Sequence, residues 1–234
     1  MSVFEPARMR VAVVGMGGLG CPATLALAHA GVRHLTLLDD DCVDLSNLHR
    51  QPWHGDGDVG KPKVDSAERG LRGAFPQLAI QTQCARVDPT NVDALFQSHD
   101  WVVDATDSME AKFLLSDSAR RNGGRLVYGG VVRTEGQVMV VSPTGPCLRC
   151  LFEELPDVSE VPTCAAAGVM GALAGVVGAL QVQVMLREAE RPSGSDVTLL
   201  HILDGWSMHF RQVRVHRNSA CGICSGGPPH RDAA

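Results

Sequence analysis

Two sets of residues in this chain have types and spacings that suit chemistry: a glycine turn that can hold phosphate, and paired thiols that can hold a metal. Gly15, Gly17 and Gly20 fit G-x-G-x-x-G, directly after the apolar run Arg10 to Val14 and before the alanine-rich stretch Cys21 to Ala30. Such a turn brings backbone N–H groups up to a phosphate at the positive end of a helix. Asp39 follows at the tip of the next apolar run, where a carboxylate can hold a ribose hydroxyl. The loop alone says nucleotide and does not choose between NAD and ATP. The segment Asp44-Leu-Ser-Asn47-Leu-His-Arg50-Gln51, then Gly60-Lys-Pro-Lys63, brings two cations to the phosphate end of that cleft. A hydride-transfer enzyme has no evident need for Arg50 and Lys63 there. An enzyme that splits ATP does, because negative charge builds up on the departing pyrophosphate. Asp107, just past a later strand, is placed to hold magnesium on the phosphates.

Cys147-Leu-Arg-Cys150 and Cys221-Gly-Ile-Cys224 are two C-x-x-C knuckles, each able to offer two thiolates from one tight turn. Four thiolates complete a tetrahedral zinc shell with no open position, so the expected role is structural. Paired disulfides and redox dithiols are the alternatives. Cys164 lies in Pro162-Thr-Cys164-Ala-Ala-Ala-Gly168, between a polar loop and a helix start. A helix N-terminus favours the nucleophilic thiolate, and packing or capping is the competing role. Cys21, Cys42 and Cys84 read as small core residues. His201, His209 and His216 flank the second knuckle and are not needed once four thiolates ligate.

These residues need a scaffold, and the apolar pattern supplies one. Strands are expected at Arg10 to Val14, Leu35 to Leu38, Ala79 to Cys84, Trp101 to Val103 and Leu126 to Tyr128. Helices are expected at Cys21 to Ala30, Lys63 to Phe75, Val92 to Gln97 and Met109 to Asn122. This alternation predicts a Rossmann-like, doubly wound α/β sheet, parallel in its N-terminal part. Strands at Gly136 to Ser142, Val197 to Leu203 and His209 to His216 predict a mixed or antiparallel C-terminal extension stapled by zinc. One domain over residues 1–225 is expected. Its nucleotide-binding part covers about 10–130 and its zinc- and partner-binding part about 131–225, and 226–234 form a disordered tail. A net charge of −5 argues against nucleic acid and anionic lipid as partners. The uncharged stretch Cys164 to Leu186 carries Gly171-x-x-x-Gly175 but is too rich in glycine, alanine and glutamine for a membrane span, so it reads as a buried helix. No secretory signal precedes the first strand, and the expected location is cytoplasmic.

The chain resembles the MoeB/ThiF family, relatives of the ubiquitin-activating enzymes. The matching residues are Gly15-Met-Gly-Gly-Leu-Gly20, Leu38-Asp39, Ser46-Asn47-Leu-His-Arg50-Gln51, Pro62-Lys63 and Asp104-Ala-Thr-Asp107, within a match from about Arg10 to Cys224. The resemblance implies that Gly18 contacts the nucleotide and Asp39 the ribose. Asn47, Arg50 and Lys63 then face the phosphates, Asp107 faces magnesium, and Ser46 and Ser108 border the same site. It also implies a zinc held by two cysteine pairs. The implied activity is ATP-dependent adenylation of the C-terminal glycine carboxylate of a ubiquitin-like sulfur-carrier protein ending in Gly-Gly. Thr163-Cys-Ala-Ala-Ala-Gly-Val-Met170 favours the molybdopterin-synthase type over a ThiF type of thiamine or thio-metabolite synthesis. A homodimer and a sulfur-donor protein are implied partners. Two departures stand out. Relatives open with a helical segment whose arginine reaches the neighbouring subunit's ATP; here nine residues precede the first strand, and Arg8 or Arg10 would have to stand in. Ser108 occupies a position where relatives often carry asparagine. The competing classes are an NAD-dependent dehydrogenase and a non-catalytic scaffold that binds a ubiquitin-like partner.

Overall fold

A computed structural model describes residues 5–152, 168, 170–192 and 196–225. Its centre is an eight-stranded sheet of order β3-β2-β1-β4-β5-β6-β7-β8. The parallel half contains β1 (Arg10–Val14), β2 (His34–Leu38), β3 (Ala79–Gln83), β4 (Trp101–Asp104) and β5 (Leu126–Val132). The antiparallel half adds β6 (Glu135–Val141), β7 (Val197–Asp204) and β8 (His209–His216).

Alternate residues of each strand face opposite layers, so one buried sequence must satisfy two cores. Val11 and Val13 pack with α1 (Gly20–His29), α2 (Lys63–Ala74) and α6 (Gly171–Glu190). Ala12 and Val14 pack with α3 (Val92–Ser98) and α4 (Met109–Arg121), and this second core also takes in Cys147, Cys221 and Cys224. The chain runs outward from β1 through β2 to β3 and then returns to β4 on the other side. The crevice at the carboxyl ends of β1 and β4 is therefore the switch point, the place where ligands bind in such sheets.

α6 is the buried helix that the uncharged stretch foretold, and it lies close to its neighbours. A Cβ on Gly178 would sit 2.3 Å from the Leu19 carbonyl oxygen, and one on Gly136 would sit 2.3 Å from a Val177 methyl. No helix of the described residues is long and apolar enough to cross a membrane.

Several expectations need correction. β5 does not stop at Tyr128; it continues to Val132 because Gly129 and Gly130 stay paired with Val138 and Gln137 of β6. Cys42 and Cys84 are exposed rather than in the core, since each follows the end of a strand, where polar loops meet solvent. Cys164 and residues 226–234, on which expectations also fell, lie outside the described residues. Arg10 opens β1, and Arg8 ends a 3-10 turn and pairs with Glu5 at 2.9 Å. Both line a cavity of about 350 Å³ with His34, Ala79 and His99. That cavity lies at the start of β1, the far end of the strand from the glycine turn.

Candidate active site

The glycine turn is forced by its surroundings. Gly15 has φ +96°, a region open to glycine, and its N–H donates to the Leu38 carbonyl at 2.8 Å. A Cβ on Gly15 would fall 2.6 Å from the Ala105 oxygen, so the β1 and β4 loops touch there. A Cβ on Gly20 would lie 1.8 Å from the Gly15 oxygen, which closes the turn on itself. α1 then begins without a side-chain cap, and the amides of Gly17 and Gly18 have no acceptor among the described residues. Free N–H groups at a positive helix end are a phosphate cradle. Gly20→Ala should cost ~3 kcal/mol of stability, a typical overpacking cost. Thermal melting and ATP titration check it; an alanine variant as stable and as tight-binding as the parent would contradict this geometry.

Asp39, at the end of β2, faces that turn. Its carboxylate accepts hydrogen bonds from the Met16 N–H at 2.5 Å and the Asp41 N–H at 2.8 Å. Burial pushes its pKa up against those bonds. The segment after β2 runs through a 3-10 turn at Leu45–Arg50, with Asp44 accepting from the Ser46 N–H at 2.8 Å and from its hydroxyl at 2.5 Å. Ser46 is thus occupied in shaping this turn. The turn carries Arg50 to the mouth of the cradle: a Cβ on Gly18 would lie 3.5 Å from the Arg50 side chain. Arg50 donates to Asn47 Oδ1 at 2.5 Å and to the Ser46 carbonyl at 3.2 Å, and Gln51 donates to the same Asn47 oxygen at 3.3 Å. Asn47, Arg50 and Gln51 form one hydrogen-bonded unit beside the glycines.

Lys63 begins α2 and is buried, with its ammonium 2.6 Å from Asp41. Burial still leaves Asp39 raised, with the Lys63 charge only opposing that rise, and Asp44 is lowered chiefly by its hydrogen bonds from Ser46. The spacing foretold Lys63 but not its partner Asp41. Across the crevice, Asp107 is exposed, and among the described residues no hydrogen bond or ion pair ties its carboxylate. A free, hard oxygen donor beside the phosphate cradle fits magnesium. Ser108 starts α4, its hydroxyl accepting from the Ala111 N–H at 3.4 Å, which is a capping role.

Behind the site stand residues that motif reading missed. His54 bonds the Met16 carbonyl at 3.0 Å and the Ser66 hydroxyl at 3.0 Å, so it braces the glycine turn from beneath. Burial lowers its pKa and keeps the ring neutral. Lys112, in the first turn of α4, reaches Asp104, Thr106 and Gly129, and Gln181 of α6 donates to the Asp104 carbonyl at 2.8 Å. One sequence signal existed for Lys112: an aspartate inside an apolar strand requires a cation nearby.

The thiols meet on the opposite side of the sheet's C-terminal half. Cys147 precedes α5 (Leu148–Leu151), and Cys221 and Cys224 follow β8. The four sulfurs lie within 4.8 Å of one another, with separations of 3.3, 3.6, 3.7 and 3.9 Å among the bonded pairs. Tetrahedral zinc with bonds of ~2.3 Å places its sulfurs about 3.8 Å apart, so the cluster fits that ion. The contact between Cys147 and Cys224 holds the Cys224 thiol below its ordinary range, and the same contact with burial pushes Cys147 up. The Asn218 N–H donates to Cys150 at 3.4 Å. Arg149, between the first pair, clamps Asp117 of α4 through Nε at 3.0 Å to each oxygen and through an amino group at 2.8 Å. The knuckle is thereby fixed to the helix that starts at the candidate metal turn.

Comparison with known proteins agrees with this arrangement. A SAMP-activating enzyme E1 of Haloferax volcanii is 43% identical over 222 residues, which is 93% of this chain and 81% of that protein. An adenylyltransferase and sulfurtransferase MOCS3 of Culex quinquefasciatus is 40% identical over 223 residues, 94% of this chain and 51% of that one. This chain therefore spans about half the length of the MOCS3 relative. A crystal structure of E. coli MccB with ATP superposes with a TM-score of 0.81 at 17% identity, covering 94% of this chain and 68% of that one, and shows the shared fold. The profile of the ThiF family matches residues 6–223, and on that extent, joined to the cradle and its flanking cations, the chain belongs to the ThiF family.

Proposed function

We propose that this protein is an adenylyltransferase that activates the C-terminal glycine carboxylate of a small ubiquitin-like sulfur-carrier protein, of the molybdopterin-synthase type. The observation that carries it is Arg50 packed against Gly18 at an uncapped helix start, with an untied Asp107 across the same crevice. A phosphate cradle flanked by a cation and a free carboxylate suits attack at a triphosphate. The cradle alone would also suit a dinucleotide; the cation and the free carboxylate beside it are what favour a triphosphate. The names of the relatives support the same chemistry: one is a SAMP-activating enzyme and the other an adenylyltransferase.

In this account the glycine-turn amides and Asp39 hold ATP. The carrier's terminal carboxylate, with a pKa near ~3.5 in free peptides, is already ionised and needs no general base. It attacks the α-phosphorus; the bond to the leaving phosphate breaks, giving an acyl-adenylate and pyrophosphate. Arg50 and Lys63 offset the charge that grows on the pyrophosphate oxygens, and Lys63 exchanges Asp41 for phosphate to do so. Asp107 would hold magnesium, which when bound would neutralise charge on the phosphates. Cys147, Cys150, Cys221 and Cys224 would hold zinc in a closed four-thiolate shell, a structural tie between the C-terminal segment and the knuckle that Arg149 fixes to α4. Cys164 is the candidate for a later covalent link to the carrier or its sulfur.

The enzyme works as a homodimer in the reducing cytoplasm, and a separate sulfur donor completes the carrier. Carrier-dependent exchange of labelled pyrophosphate into ATP tests the proposal. Exchange that requires a carrier with an intact Gly-Gly end is expected; ATP binding without exchange would favour the scaffold alternative, and NAD binding would favour a dehydrogenase.

A further inference from the structure

The turn that carries Asp107 is held by two buried side chains that reach it from opposite faces of the sheet. β4 and β5 pair only as far as Asp104 opposite Tyr128. Past that point the turn after β4 leaves β5, which continues to Val132, and the carbonyls that faced each other need other partners. The Lys112 ammonium donates to the Thr106 carbonyl at 2.7 Å and the Gly129 carbonyl at 2.6 Å. It also lies 3.3 Å from each oxygen of Asp104 and 5.2 Å from the centre of the Tyr128 ring. From the other face, Gln181 donates to the carbonyls of Asp104 at 2.8 Å and Val127 at 3.2 Å. A Cβ on Gly129 would meet the Gln181 amide at 2.3 Å, so glycine is required for that reach.

The Lys112 and Asp104 side chains are 5% and 0% exposed. An ammonium has three protons to give, and here carbonyls and a carboxylate surround it, so its direction is fixed by the protein rather than by water. The Thr106 carbonyl it grips belongs to the peptide bond that leads into Asp107.

We propose that Lys112 is a positioning residue for the metal-binding turn. By gripping the Thr106 carbonyl and the Asp104 carboxylate it fixes where the Asp107 carboxylate points, and so sets the affinity for the magnesium–nucleotide pair rather than for nucleotide alone. The proposal rests on Asp107 being the magnesium-holding carboxylate of an ATP-using enzyme. A merely structural ion pair predicts something different. Replacing both buried charges with uncharged groups of similar size is often neutral for stability, whereas removing one strands the other. If the pair were only structural, the doubly neutral variant would bind magnesium–ATP as the parent does.

Calorimetric titration of the full chain with ATP, with and without magnesium, separates these outcomes. The variants are Lys112→Met, Lys112→Arg, and Asp104→Asn combined with Lys112→Met, each with a melting curve. The parent should bind ATP at least about ten-fold tighter with magnesium, the size expected when a supporting partner of a metal ligand matters. Lys112→Met and the double variant should lose most of that gain, with magnesium-free ATP affinity within about two-fold of the parent, and Lys112→Arg should recover part of it. If Lys112→Met does not fold, the double variant, which leaves no charge buried alone, supplies the result. Full retention of the magnesium gain in a folded variant overturns the proposal, as does equal loss of both forms of ATP. A parent that binds ATP with no magnesium gain overturns it while leaving the ATP-using reading intact. A parent that binds no ATP at all defeats that reading first.

Discussion

Asp107→Ala should lower carrier-dependent ATP–pyrophosphate exchange by about a thousand-fold, the scale of several kcal/mol of charge stabilisation at a transferring phosphate. The fold should not notice. Asp107 is exposed and holds no partner among the described residues, so its melting temperature should stay within about two degrees of the parent. Exchange measured with a Gly-Gly carrier, beside a melting curve, reads both halves at once. The contrast with Asp104 is instructive. The two carboxylates stand three residues apart, yet Asp104 is sealed against Lys112 and cannot reach a ligand, while Asp107 is open to the crevice. Asp104→Ala should therefore unfold the turn and lose stability, whereas Asp107→Ala should lose only chemistry. Exchange that survives Asp107→Ala within about ten-fold would remove this carboxylate from the mechanism.

The second large effect concerns the thiol cluster. Cys221→Ser should release the zinc and lower unfolding stability by ~4 kcal/mol or more, the class of loss expected when a structural metal goes. In a chain of 234 residues that corresponds to a melting point about 10 °C lower. Metal content by mass spectrometry and calorimetric melting, with and without chelator, supply the check. The cause is topological. Cys221 and Cys224 follow β8, the sheet's outermost strand, of which only Val215 is buried. Without the staple to Cys147 and Cys150, little apolar burial holds that strand's end to the domain. A Cys221→Ser protein with one bound zinc and an unchanged melting point would contradict a four-thiolate site.

Much of this was legible in the sequence, for reasons that particular residues make clear. β1, α1 and β2 were readable because glycines bracket the helix and each strand is mostly apolar past its first residue, with Thr36 the one polar interruption, as parallel strands buried on both faces tend to be. The cysteine knuckles were readable because their spacing is itself the geometry of a metal turn. Other features were hidden. Gly129 and Gly130 looked like the end of β5, since glycine weakens a strand, but the smallness of Gly129 is what admits Gln181 from α6, and Gly130 lies against the Tyr128 ring. Lys112 was not singled out, because nothing local in the expected helix shows which face turns inward; only the carbonyls it meets beside β4 and β5 reveal its task. Asp41 was passed over for the same reason. Its partnership with Lys63 joins residues 22 positions apart. The exposed Cys42 and Cys84 show the reverse error, in which residue type suggested burial but position at a strand end decided otherwise.

The central claim is that a carboxylate of the carrier becomes bonded to the α-phosphorus of ATP. Oxygen labelling tests this bond directly. A Gly-Gly carrier with heavy oxygen in its terminal carboxylate is incubated with the enzyme, ATP and magnesium, and the product is quenched with hydroxylamine, which attacks at the acyl carbon. The account predicts one heavy oxygen in the phosphate of the released AMP and none in pyrophosphate. Heavy oxygen in pyrophosphate or inorganic phosphate, or AMP formed without label, would contradict it.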